Sequence, residues 1–175
     1  MAFVEHSVAW ARGELLDGVV MGAVGAALVV GGLLCWKLGD MQLTRALPVP
    51  LVLAGLVFLA GGVSAYLSNT ARVEQFQADH RADPDAFVRA EKARVEGFAS
   101  LYVGTQIAAP ILFAIASILF WSTTAPLPRA VAIVLCLVGI GTFVIDGYSK
   151  ERADIYYERI TAEMGAGAPS EEHAP

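Results

Sequence analysis

Four long apolar windows alternate with polar segments along the chain. Three of them contain no charged residue, and the fourth contains only Arg129, near its start. At about 1.5 Å per residue, a helix of about 20 residues crosses a hydrocarbon core of about 30 Å. Arg129 is compatible with such a helix, because its long side chain can reach the headgroups. The pattern predicts four transmembrane helices, at 18–36, 48–66, 99–121 and 127–145.

The fold class follows from the solvent that these windows require. Backbone groups in hydrocarbon must be hydrogen-bonded within the protein, and the alternation typical of a membrane barrel is absent. When Gly is counted as apolar and Tyr is not, about 63% of the residues are apolar, against about 45–50% in soluble domains. We therefore predict an all-α membrane protein, a four-transmembrane-helix bundle with cytoplasmic amphipathic helical extensions.

The distribution of Lys and Arg predicts the orientation. Nine of these residues lie on the side of the two termini, and only Lys37, Arg45 and Arg129 lie on the other. Because short loops rich in Lys and Arg stay in the cytoplasm, both termini are expected there, in a multi-pass protein of the bacterial inner membrane. Nearly all the carboxylates share that side, but acidic residues have little weight in this rule.

The polar segments divide the chain into six parts. A new helix is expected to begin at Asp83-Pro84 and to run on into the third span, because Asp is a favoured N-cap and Pro fits the first helical position. The composition of the last residues, rich in Gly, Ala, Pro and Glu, is typical of disorder. The predicted parts are a cytoplasmic amphipathic helix at 1–17, a transmembrane hairpin at 18–66, a cytoplasmic helical connection at 67–98, a second hairpin at 99–145, a cytoplasmic helix at 146–164 and a disordered tail at 165–175.

Each predicted cytoplasmic helix carries an apolar stripe at the three-and-four spacing of an amphipathic helix. The stripe of the middle helix also includes a carboxylate, Glu91. The stripe residues are Val4, Val8, Ala11 and Leu15, then Phe87, Val88, Val95, Phe98 and Tyr102, and finally Ala153, Tyr156 and Ile160.

Gln106 is the strongest polar side chain within a span. Pro110 lies four residues later, so it cannot donate to the Gln106 carbonyl, and Thr105 lies at the same level. Such a polar break can line a cavity or a pore, and Thr105, Gln106 and Pro110 form a candidate polar site. A structural kink repaired by neighbouring helices is the favoured interpretation.

Six carboxylates mark a candidate cytoplasmic interaction face. Glu151, Asp154 and Glu158 point the same way on one helix, where like charges one turn apart repel mildly. Arg89, Lys92 and Arg94 are the expected basic partners, and a divalent cation is the alternative. The other members are Glu14, Asp17 and Glu91. Either burial raises the pKa values of these carboxyl groups, or basic partners compensate their charges.

Motifs for other functions are absent from the sequence. It contains no phosphate-binding loop, metalloprotease motif, nucleophile elbow or paired-cysteine motif, and its net charge is −5. The three histidines lie outside the windows. We therefore expect no cofactor, no metal and no nucleic-acid partner.

The ending Glu151-Arg-Ala-Asp154-Ile-Tyr-Tyr-Glu158, after a fourth span, resembles that of uncharacterised small four-span bacterial membrane proteins. The opening Glu5-His6-Ser7 and Trp36 at the end of the first span agree with this resemblance. It implies the four-span layout and no activity or residue role.

These observations favour a non-enzymatic inner-membrane scaffold or subunit that works through its cytoplasmic helical face. Its expected partners are the lipid bilayer and a membrane protein or further copies of the chain. The alternative is a small oligomeric channel or transporter with its path at Gln106 and Pro110, and the third hypothesis is a lipid enzyme using Glu14, Asp17 or Glu91. The small residues of the spans favour packing within one chain over a homodimer seam.

Overall fold

The computed structural model describes residues 3–166, and every regular element in that range is a helix. α1 spans Phe3–Leu38, the short α2 spans Gln42–Ala46, α3 spans Pro48–Ala82, α4 spans Pro84–Ser122 and α5 spans Pro126–Ala166. The predicted all-helical class is confirmed for these residues. The last helix continues two residues into the predicted tail, and residues 167–175 lie outside the described range.

Four of the helices are long and apolar enough to cross a membrane, as the sequence predicts. They contain 36, 35, 39 and 41 residues. At about 1.5 Å per residue each is roughly 50–60 Å long, well beyond a hydrocarbon core of about 30 Å. Each apolar window therefore continues without a break into a polar helical extension.

The helix ends agree with the local sequence. Asp83 has an extended backbone, and its carboxylate accepts a hydrogen bond from the Ala86 amide at 2.9 Å, so the predicted N-cap of α4 is confirmed. At the start of α5, the Arg129 guanidinium reaches back to donate to the Thr123 carbonyl at 2.7 Å. This is the direction in which an arginine near the end of a span is expected to extend.

α1 and α3 pack closely through glycines. A Cβ on Gly25 would lie 2.7 Å from the Gly55 carbonyl oxygen, and one on Gly62 would lie 2.6 Å from both the Gly18 carbonyl oxygen and the Gly22 amide nitrogen. No side chain fits at these distances, so the two backbones touch. Small residues thus allow close packing of this helix pair within the chain.

α4 and α5 form the second pair, with a wider separation. A Cβ on Gly139 would lie 3.6 Å from the Phe113 ring and 4.0 Å from the Ala109 carbonyl, which is ordinary contact. α4 continues through Pro110 without ending there. The α-helix therefore continues past the proline, although Pro110 has no backbone amide hydrogen to donate.

The polar extensions meet in a part of the molecule that we call the charged end, residues 5–17, 67–97 and 146–164. Its core is built from the predicted stripes together with two aromatic residues outside them, Trp10 and Phe76. The stripe residues that are buried in it are Ala11, Phe87, Val88, Val95, Tyr156 and Ile160, while Val8 is partly buried against it. Ala153 is also buried. The side chains of Val4, Phe98 and Tyr102 lie outside the described part of the chain.

Candidate functional site

Glu91 is enclosed in the apolar core of the charged end, with only 5% of its surface exposed. It lies on the same face of α4 as Phe87, Val88 and Val95, where a carboxylate without a partner would be costly. The Arg94 guanidinium, one helical turn later, binds both of its carboxylate oxygens, through Nε at 3.1 Å and through Nη2. The apolar stripe therefore contains a buried, bidentate ion pair.

Tyr156 of α5 connects this ion pair to α1. Its hydroxyl lies 2.9 Å from Glu91 Oε2 and 2.7 Å from the Ser7 hydroxyl. A phenol has one proton, so donation to Glu91 leaves the Tyr156 oxygen to accept from Ser7. Burial and the charge of Glu91 raise the pKa of Tyr156, which keeps the phenol protonated as a donor.

Aromatic stacking completes the arrangement. The Arg94 guanidinium carbon lies 4.5 Å from the centroid of the Trp10 ring and 5.6 Å from that of Phe76. The Trp10 ring stacks on Tyr156, with centroids 5.2 Å apart and an interplanar angle of 13°. All four long helices thus contribute to one group of side chains, which we call the Glu91 cluster: Ser7, Trp10, Phe76, Glu91, Arg94 and Tyr156.

A second polar group joins α1 to α5 nearer the apolar windows. Glu14 accepts a hydrogen bond from the Ser149 hydroxyl at 2.8 Å. Arg152 binds Asp17 and lies 3.8 Å from Glu14. Burial raises the pKa of the Glu14 carboxyl, which precedes the first apolar window. We call these four residues the Arg152 cluster.

The structure divides the predicted interaction face into two sets. Glu14, Asp17 and Glu91 are turned inward and are bound by side chains of the protein. Glu151, Asp154 and Glu158 are exposed on α5. Glu91 is the most enclosed of the six carboxylates, and its oxygens contact Arg94 and Tyr156.

The expected pairing of the exposed α5 carboxylates with α4 is wrong for Asp154, Lys92 and Arg94. Asp154 pairs with Lys150 on its own helix at 2.6 Å. Lys92 lies 3.9 Å from Glu96, and Arg94 binds Glu91. Each of these charged groups pairs with a residue three or four positions away on the same helix. Such a contact does not depend on how two helices pack against each other.

The three residues of the predicted polar break have different surroundings. Gln106 and Pro110 are exposed and line a groove of about 400 Å³ between α4 and α5, together with Ala109, Phe113 and Gly139. Thr105 is half-buried beside them. The groove is on the outer surface of the helix pair, and its walls are mostly carbon, so in a single chain it does not form a polar path.

Within residues 3–166 no three His, Cys, Asp or Glu side chains lie close enough together to hold a metal ion. The predicted carboxylate faces therefore bind basic groups or face solvent in the structure.

Several residues of these clusters escape sequence reasoning. Ser7, Ser149 and Arg152 contact residues more than 130 positions away in the sequence. The Glu91–Arg94 spacing, however, is a recognisable helical ion pair at i and i+3. It could have been predicted as the compensation for the buried carboxylate.

No protein-family model, no curated protein and no solved structure matches this chain. The fold and the clusters define an all-helical protein with four helices able to cross a membrane. Its function is therefore inferred from its own residues.

Proposed function

We propose that the protein is a non-enzymatic scaffold or subunit of the bacterial inner membrane, a four-helix bundle with both termini in the cytoplasm. It binds a partner protein through the charged end. The apolar sections of the four helices expose large side chains such as Val57 and Ile118 over more than half of their surface, which suits contact with lipid.

The observation that best supports this proposal is the difference in charge between the interior and the surface of the charged end. Within its described residues, ten carboxylates are exposed but only four basic side chains are. Arg94 and Arg152 are held in the Glu91 and Arg152 clusters, so their charges are compensated internally. The surface that remains is acidic, and it attracts a partner with a basic segment.

Glu151, Asp154 and Glu158 are the centre of the proposed binding face. They share one side of α5 and are exposed together, and only Asp154 has an ion-pair partner within the described residues, Lys150. An interface that supplies basic groups would also relieve the repulsion between like charges one turn apart. The buried clusters hold α5 against α1 and α4, which keeps this face in a fixed position.

The test reverses the charge of this face from negative to positive. The triple variant Glu151→Lys, Asp154→Lys and Glu158→Lys is compared with Glu74→Lys, Asp79→Lys and Asp85→Lys, which makes the same charge change at exposed positions of α3 and α4. Native mass spectrometry of each protein in nanodiscs taken directly from the membrane measures the bound partner. Loss of the partner only in the α5 variant supports the proposal, while an equal effect of both variants, or a wild type with no partner, overturns it.

The oligomeric channel remains the alternative, because Gln106 and Pro110 lie on one exposed face of α4. Several copies arranged with this face inward would place one Gln106 amide group each around a common axis. Gln106→Leu would then change ion or solute flux in liposomes but leave partner binding intact. An unchanged flux would exclude this alternative.

A further inference from the structure

Gln106 is an exposed polar side chain within the third apolar window. It lies seven residues inside the third apolar window, about 10 Å from its inner boundary at 1.5 Å per residue. The side-chain amide has no hydrogen-bond partner within the described residues, and it faces outward from the helices. An unpaired amide in this position costs free energy that a partner group would recover.

The backbone at the same place lacks one helical hydrogen bond. Pro110 has no amide hydrogen, so the usual helical bond to the Gln106 carbonyl is missing. The unpaired side-chain amide and the carbonyl that has lost its usual donor therefore belong to one residue, at one level of the apolar window. Lipid tails supply neither a donor nor an acceptor.

We propose that two copies of this chain associate through the face of α4 that carries Gln106. Both copies have the same orientation in the membrane, so the two-fold axis of a dimer lies along the membrane normal and brings residues of equal depth together. Gln106 of one copy then faces Gln106 of the other. An amide is both donor and acceptor, so the pair is self-complementary.

The surface around Gln106 has room for a second copy. Pro110, one turn later on the same side of α4, is also exposed. Beside Gln106, the groove of about 400 Å³ between α4 and α5 can accept an apolar side chain from the second copy. Hydrogen bonds between side-chain amides of neighbouring helices are a recurrent way in which membrane helices associate.

The α1 and α3 glycines do not serve the same purpose. Gly25 and Gly62 are already in contact with the opposite helix of their own chain. The dimer face is thus on the α4 side of the molecule, away from that packed seam. It is also separate in sequence from the proposed partner face at Glu151, Asp154 and Glu158, so either proposal can fail without the other.

Two variants test the dimer in liposomes. Counting photobleaching steps at increasing ratios of labelled protein to lipid gives the dimer dissociation constant. Gln106→Leu is expected to raise this constant about tenfold, whereas Gln106→Asn, which keeps an amide, retains the dimer. Ser64→Leu is the matched control, because Ser64 is also an exposed polar residue in an apolar window, on α3, and this change is expected to leave the constant unaltered.

A cross-link provides an independent readout that does not depend on the stability of the Leu variant. With Cys35 and Cys136 replaced by Ala, the Gln106→Cys variant should form a disulfide-linked dimer under mild oxidation, and the Ser64→Cys variant should not. A wild type that is monomeric at every protein-to-lipid ratio would overturn the proposal. So would equal cross-linking at both positions, or a Leu variant that dimerises like the wild type.

Discussion

The charged end and the apolar section of this molecule hold their helices together by different means. In the apolar section, α1 and α3 touch through glycine backbones, and nothing polar is needed. In the charged end, a buried ion pair, a tyrosine and stacked aromatic rings from four helices define the arrangement. In lipid there is no hydrophobic drive between helices, so shape decides packing, whereas in water a buried polar group must meet a specific partner.

This difference gives the two regions different roles. Glycine packing tolerates any neighbour that is close and apolar, but the Glu91 cluster requires particular atoms at particular distances. The charged end is therefore the part in which the relative positions of all four long helices are specified. It is also the part that carries the exposed carboxylates, so a fixed interior supports a surface suited to recognition.

The largest effect is expected from breaking the buried ion pair. Arg94→Ala leaves Glu91 enclosed without its cation and should lower the free energy of unfolding by about 3–5 kcal/mol. Unfolding by SDS in mixed micelles, followed by tryptophan fluorescence, measures the change. Arg89→Ala, at an exposed position on the same helix, should stay within about 0.5 kcal/mol, and a similar loss in both variants would contradict a specific role for the pair.

The glycine contact and the Tyr156 hydrogen bond are expected to give intermediate effects of similar size. Gly62→Ala places a methyl group 2.6 Å from the backbone of α1 and should cost about 1–3 kcal/mol in the same unfolding assay. Gly22→Ala is the control, since a Cβ there meets nothing within 4 Å. If the Gly22 variant loses as much stability as the Gly62 variant, the close packing of α1 on α3 is refuted.

Tyr156→Phe removes one hydrogen bond from Glu91 while the stacked ring remains. We expect a loss of about 1.5–3 kcal/mol, because the acceptor is charged and buried. Tyr157→Phe removes a comparable hydroxyl, which lies 3.0 Å from Glu96 at an exposed site, and should cost less. Equal losses would show that the enclosure of the Glu91 cluster contributes nothing.

The N-cap of α4 should give the smallest effect. Asp83→Ala removes the bond from the Ala86 amide and is expected to cost about 1 kcal/mol. Asp83→Asn, which retains an acceptor, should restore most of the stability. Hydrogen exchange of the first turn of α4 measures the local opening directly, and unchanged exchange in the Ala variant would contradict the capping role.

The sequence allows the helices to be predicted better than their contacts. The four windows, the start at Asp83 and the stripes through Val88, Val95 and Ile160 follow from hydropathy and helical spacing, which are local properties. The pairing of Glu91 with Tyr156 and of Asp17 with Arg152 joins distant parts of the chain, and no local pattern determines it. Arg94 was expected to meet the α5 carboxylates, but the nearer Glu91 binds it instead.

The proposed binding role of the charged end is tested most directly by a photo-cross-linking amino acid in intact membranes. Placed at Glu158, on the exposed face of α5, it should give one discrete adduct with a partner protein. Placed at Glu74, another exposed carboxylate position, on α3, it should give no such adduct. The same adducts from both positions, or none from Glu158, would contradict a partner-binding face on α5.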